Sequence, residues 1–267
     1  MIRRKQDPPR GILHVPATQP VNGHWRYHPS EDLASFVEHY WTVEWDLATP
    51  RTAENLPHPS VHLVLEVDRA EIYGVMRRRF SRVLQGKGRV LGVKFRPGGF
   101  RAFVAQPVVE LTDRRLPLQQ VLGRTAHGLE RRALRHDDHA AAIAVIEAFL
   151  HQRKPRPDPS IALAGQVCER IASDHAIIRV EQVAEAFKLG TRALQRLFSN
   201  YIGVSPKWVI QRYRLHEAAA RIAAGGAVDW AQTALELGYA DQAHFIRDFK
   251  KLVGRAPADY SRRLAQA

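Results

Sequence analysis

Leu194-Gln195-Arg196-Leu197-Phe198, followed by Gly203 and Pro206, decides the reading of this chain, because the pattern occurs twice. Phe245-Ile246-Arg247-Asp248-Phe249, then Gly254 and Pro257, repeat it 51 positions further on. Matching chemistry recurs at 194/245, 196/247, 198/249, 203/254 and 206/257. Two copies are too few for a solenoid. They suit a pair of compact helical units joined by a helix.

Each copy reads as a short helix, a tight turn and a second helix. In the first, Val180 to Phe187 places Val183, Ala184 and Phe187 at helical spacing. Lys188-Leu189-Gly190 turns the chain, and a helix from Thr191 to about Tyr201 turns Leu194, Leu197 and Phe198 inward. Arg192, Gln195 and Arg196 face outward. In the second copy Trp230 to Leu237 is the first helix, Gly238-Tyr239-Ala240 the turn, and Asp241 the N-cap of a helix over about 242–251. Phe245 and Phe249 point in; Gln242, His244 and Arg247 point out. Small Ala184 and Ala234 sit where two helices of such a unit approach closely. The outward residues suit DNA: Arg grips guanine O6 and N7, and Gln grips adenine N6 and N7, each with two hydrogen bonds. Any one of them by itself is better explained as solvated surface. The return of an arginine at one phase of both second helices favours DNA.

This segment resembles the DNA-binding domain of AraC/XylS-type transcription regulators. The residues that carry the resemblance are Leu194 to Phe198, Gly203-Val204-Ser205-Pro206, Arg214-Leu215, Leu237-Gly238-Tyr239-Ala240-Asp241-Gln242, His244-Phe245, Arg247, Phe249-Lys250-Lys251, and Gly254 through Pro257 with Tyr260. The resemblance implies two helix-turn-helix units bridged by a long helix, here Pro206 to about Ala224. It also implies base contacts from Arg192, Gln195 and Arg196 in one unit and from Gln242, His244 and Arg247 in the other. Arg212, Lys250 and Lys251 are expected on the DNA backbone. Two residues depart from the family pattern: Gly190 stands in place of a capping serine, and Lys188 in place of a turn glycine.

The rest of the chain follows from composition and punctuation. With 267 residues and 45% hydrophobic content it is long enough for two domains. The net charge of +13 favours polyanionic partners, though Arg77-Arg78-Arg79, Arg114-Arg115 and Arg131-Arg132 spread it well upstream of the repeat. A single cysteine, Cys168, excludes an intrachain disulfide framework and fits a reducing cytoplasm. No apolar run approaches the roughly 20 residues that span a bilayer, so no membrane partner is expected. Residues 1–20, with Pro8, Pro9, Pro16 and Pro20, read as a flexible arm, not a signal peptide.

Residues 21–152 read as a β-rich domain with flanking helices. Candidate strands are Tyr40 to Trp45, Val61 to Val67, Glu71 to Val75, Phe80 to Leu84 and Val90 to Phe95, which suggests a small barrel or sandwich. Glu31 to Glu38 reads as a short helix capped by Ser30, Gly86-Lys87-Gly88 as a hairpin turn, and Phe100 to Ala105 as helical. Ala140 to Phe149 makes a strongly apolar helix. Three alternating prolines, at 155, 157 and 159, make 153–160 an extended linker, and 161–267 is the DNA-binding domain. The fold class is therefore α+β, with a β-rich front and an all-α rear. Arg89 to Gly99 resembles a segment of one subgroup of AraC-type front domains. In the family the front domain senses a small molecule or mediates dimerisation. The resemblance thus implies a small-molecule effector or a homodimer, with RNA polymerase as a further partner and mostly activation as the outcome, in a bacterial setting.

Little in the front domain suggests catalysis. His58, His62 and Glu66 invite a metal reading, but positions four apart on a strand lie about 13 Å from each other. That is too far for one ion held at about 2 Å. Trp25, Tyr27, Tyr40, Trp41 and Trp45 read as core ahead of a pocket lining. No phosphate-binding loop or nucleophile elbow is present, and no cofactor or catalytic residue is expected. Three functions compete. The first is a sequence-specific regulator, which the paired helices favour. The second is a non-specific or architectural DNA binder. The third is a DNA-repair enzyme built on the same module, which needs reactive cysteines that Cys168 by itself does not supply.

Overall fold

The computed structural model describes residues 3–4, 23–156, 158–225 and 229–265. Its front part holds β1 (Gly23–Tyr27), β2 (Val37–Asn55), β3 (His62–Glu66), β4 (Arg69–Tyr73), β5 (Phe80–Phe95) and β6 (Arg115–Pro117). These form one antiparallel sheet in the order β1-β2-β5-β3-β4-β6. Three helices follow: α1 (Leu118–Leu122), α2 (Leu129–Leu134) and α3 (His139–Gln152). The β-rich front with flanking helices and the all-α rear are as the sequence indicates; all the strands lie in a single sheet.

Long β2 and β5 form the spine of that sheet. Leu47 lies opposite Gly86, and the next paired residue of β2, Arg51, lies opposite Leu84. Residues 48–50 therefore bulge against Gln85. The expected hairpin at Gly86-Lys87-Gly88 is absent: the three residues run on inside one strand, and Gly86 borders the bulge. Gly86 takes φ 60°, a conformation open to glycine. Gly88 and Gly92 make room for rings, since a Cβ at either would lie 2.2 Å from Trp45 or Trp41. The expected helix over Glu31 to Glu38 is also absent. Residues 31–36 form turns and Val37 already pairs with Phe95. β-branched and aromatic residues from Val37 to Trp41 favour the pleated, half-buried setting over a helix. Gly99–Phe103 is helical, in 3-10 form.

One sheet face, with Tyr40, Leu63, Ile72, Leu91 and Val93, packs on Leu118, Leu129, Ile143 and Ile146 of the helices. The other carries a separate cluster of Trp45, Leu47, Val64, Tyr73, Leu84 and Val90. Tyr40 and Trp45 are thus core, as expected, while Trp25, Tyr27 and Trp41 are half-buried. Of the expected arm, Arg4 bridges to Tyr27 at the sheet edge, and the remainder, 1–2 and 5–20, lies outside the described residues.

The rear part runs α4 (Pro159–Ser173), α5 (Val180–Ala186), α6 (Thr191–Leu197), α7 (Pro206–Ala223), α8 (Trp230–Glu236), α9 (Gln242–Val253) and α10 (Pro257–Ala265). Pro159 starts α4 because its missing N–H costs nothing there, and Asp158 caps it by accepting from Ser160 N. Apolar packing does not follow the proline-rich connection between front and rear. One core runs from the sheet through Ile161, Cys168, Leu194 and Phe198 to Ile210. A second begins at Leu215 and holds Ala218, Ile222, Ala234, Phe245 and Phe249. The division falls inside α7.

Candidate nucleic-acid interface

The two helix-turn-helix units are built alike, with one difference in the turn. Leu189 N donates to Ala184 O at 2.8 Å, and Tyr239 N donates to Ala234 O at 2.9 Å. These bonds are 50 positions apart, whereas the N-caps Gly190 and Asp241 are 51 apart. The second turn is therefore one residue longer. Both turns need a left-handed residue, Lys188 at φ 52° and Gly238 at φ 78°. At 238 glycine is needed for space as well, since a Cβ would lie 2.8 Å from Ile178. Ala184 and Ala234 are buried between the helices, as their size suggests.

In the first unit Leu194, Leu197 and Phe198 are buried while Arg192, Gln195 and Arg196 are exposed. The α-helical hydrogen bonding stops at Leu197, and Phe198–Ile202 continues in the wider π form to Gly203. Gly190 makes no side-chain cap. In the second unit Asp241 caps α9 through His244 N at 2.7 Å. Gln242, Arg247, Lys250 and Lys251 are exposed. His244 is half-buried: its ring stands edge-on to Tyr239 at 5.3 Å, and its Nε2 lies 3.6 Å from Asp248. Each second helix thus presents one polar stripe outward, and five of the six expected base-reading residues lie exposed on those stripes.

Arg212 is a correction. It was expected on the DNA backbone, but it is 5% exposed. Its Nη2 donates to Arg77 O at 2.6 Å and its guanidinium lies over Trp208 at 4.5 Å. Burial lowers its pKa to about 10. It faces inward because Val209, Arg212, Leu215 and Ala219, three or four residues apart, share one buried side of α7.

Arg214 has a structural role that the motif did not reveal. It is 1% exposed. It donates to Ile171 O, to Asp174 O at 3.3 Å and to Glu217 at 2.8 Å. Glu217 also holds His175 at 2.8 Å and Arg221. Arg214 therefore ties the C-terminal end of α4 to the bridging helix. Periodicity could have found it, since 210, 214 and 218 fall on one helical face.

The histidines considered as metal ligands are dispersed. His58 stands against His216, ring centroids 4.5 Å apart, His62 lies edge-on to Trp41, and Glu66 binds Arg82 and Arg69. Among the described residues no group of three His, Cys, Asp or Glu could hold a metal ion. Cys168 is fully buried in α4, and burial raises its thiol pKa. Among the described residues no helix is long and apolar enough to cross a membrane.

Known proteins match the chain in two separate stretches. Residues 183–263 match the family described as a helix-turn-helix domain, and residues 25–117 match a domain of unknown function, DUF6597. An uncharacterized HTH-type transcriptional regulator of Haemophilus influenzae is 33% identical over 81 residues. That stretch is 30% of this chain and 27% of the relative, so the match spans about a quarter of the relative's length. Crystal structures of ToxT from Vibrio cholerae are similar over most of the chain. One, from O395, has TM-score 0.40 and 12% identity over 87% of this chain and 99% of that one. Another, in a P21 crystal form, has TM-score 0.40 and 10% identity over 98% and 96%.

Proposed function

We propose, from the AraC-type helix-turn-helix domain that this chain carries behind a β-rich front domain, that it is a sequence-specific DNA-binding regulator of transcription. The observation that carries this reading is the pair of exposed polar stripes, each on the second helix of its unit, with Arg196 and Arg247 at one phase. α6 and α9 enter neighbouring major-groove segments on one face of the duplex, about 34 Å apart. Arg192, Gln195 and Arg196 read bases in one segment, and Gln242, His244 and Arg247 in the other. Lys250 and Lys251, free of the packed face, neutralise phosphates, and the net charge of +13 supports the approach. The front domain senses a small molecule or mediates a homodimer. RNA polymerase is the onward partner, in the cytoplasm, and the protein performs no chemistry of its own.

Selection of sites from a random duplex pool by the full chain, at fixed moderate salt, tests this. Enrichment of a two-part motif with parts about 10 base pairs apart is the expected outcome. Tight binding with no enriched sequence would make the protein an architectural binder instead.

A further inference from the structure

The bridging helix does not hold the two units by itself. The first unit shares the core of the sheet domain, and Thr112 Oγ1 adds a hydrogen bond to Gly203 O at 2.5 Å. The second unit has its own core and is gripped by a different part of the front domain. Asn55 lies opposite Phe80 in the β2–β5 ladder, so the segment leaving β2 and the segment entering β5 emerge side by side. From the first, Leu56 inserts into the second unit's core and Pro57 O lies 3.3 Å from His216 Nε2. From the second, Arg77 O accepts from Arg212. Arg79 Nη1 donates to Val253 O at 3.3 Å and pairs with Glu54 at 2.8 Å.

Val253 is the last residue of α9, so the Arg79 cation sits at the negative end of that helix and satisfies one of its unpaired carbonyls. Gly254, at φ 86°, ends the helix, and a Cβ there would lie 2.2 Å from Arg79 Nη1. The guanidinium occupies the space the glycine leaves open.

We propose that Arg79 is a positioning residue for DNA recognition: through the Glu54–Arg79 pair on the C-terminus of α9, the front domain fixes the second recognition helix relative to the first and so sets the half-site spacing the protein accepts. This rests on the DNA-reading function proposed above. A swing of about 10° carries an element one DNA turn away, about 34 Å, through about 6 Å, which exceeds a base-pair step. The apolar packing of α7 changes cores between Ile210 and Leu215, so this helix is where such a swing would occur. Attaching both units to one sheet removes it.

The test measures binding of the full chain to duplexes whose two selected half-sites are separated by varied spacers, and to the first half-site by itself. Arg79→Ala is expected to lose three- to tenfold on the best two-part site and to accept a broader range of spacers. It should bind the first half-site as wild type does, with an unchanged salt slope. Arg79→Lys, which keeps a long cation able to reach Val253 O, should restore the narrow spacing preference. An unchanged spacing profile in Arg79→Ala would overturn the proposal. So would an equal loss on the first half-site, which would mark a general stability effect, or a shallower salt slope, which would mark a phosphate contact. A wild-type chain that selects no two-part site overturns the regulator reading itself, an outcome that shows before any variant is made.

Discussion

Arg196 and Arg247 stand at equivalent positions, but their neighbours differ. Arg247 shares its helix face with His244 and Asp248, whose carboxylate lies near the His244 ring. That acidic residue discourages close phosphate approach and leaves Arg247 better suited to a base edge. Arg247→Ala is therefore expected to cost about 1–3 kcal/mol and to relax base preference in one half of the site only. Competition binding against half-site mutants reads this out, and uniform weakening on every sequence would reassign Arg247 to the backbone. Lys188 supports a second prediction at this scale. It holds φ 52° in a turn where the second unit uses glycine, and its side chain is exposed. A left-handed L-residue costs roughly 1–2 kcal/mol, and glycine gives back about 0.5–1 kcal/mol in unfolded-chain entropy. Lys188→Gly should thus raise stability by about 0.5–1 kcal/mol in urea unfolding. A destabilised variant would show that the lysine makes a contact worth more than the strain.

At the scale of elements, the helices were legible and the sheet only in part. Val183, Leu194, Phe245 and Phe249 repeat at helical spacing, and they are buried as that spacing requires. Gly86-Lys87-Gly88 was misread because a bulge and a hairpin turn both need a left-handed glycine, and only the partner strand distinguishes them. Arg212 was misread because an arginine in a DNA-binding module suggests phosphate, while the carbonyl it serves lies in another domain, 135 positions earlier. Of the six residues expected to read bases on α6 and α9, Arg196 and Arg247 follow directly from the 51-residue repeat; Arg192, Gln195, Gln242 and His244 follow from the resemblance and the helix phase. Arg214 shows what the motif conceals. It staples α4 to α7 from a fully buried position, where removing one side of a buried charged pair costs about 3–5 kcal/mol. Arg214→Met, which keeps the stem, should lower unfolding free energy by about 3 kcal/mol, close to that range. A loss below about 1 kcal/mol would mean that Glu217, still held by His175 and Arg221, needs no third cation.

Across the whole molecule, the front domain and the second unit meet at a seam lined with basic groups. His216 lies there with its ring against His58, its Nε2 near Pro57 O, and Arg212 on the same helix. Burial, then the positive charge of Arg212, lowers its pKa from 6.5 to about 3; Lys94 on the sheet acts in the same direction. A depressed histidine pKa means that the unfolded chain binds the proton and the folded chain does not. The contribution is complete above pH 6.5 and is lost as pH falls toward 3, by about 1.4 kcal/mol per pH unit. Wild-type protein should therefore lose about 1 kcal/mol more than His216→Leu between pH 7.5 and pH 5.5, measured by urea unfolding. The steeper loss should appear as early hydrogen exchange in α8 and α9, because the second core is joined to the front domain through Leu56 and this seam. Equal pH slopes in the two proteins would place the His216 ring in contact with water. The seam would then be a hydrated surface and not a packed joint, and the orientation of the second unit would depend on the Arg79 contact and α7.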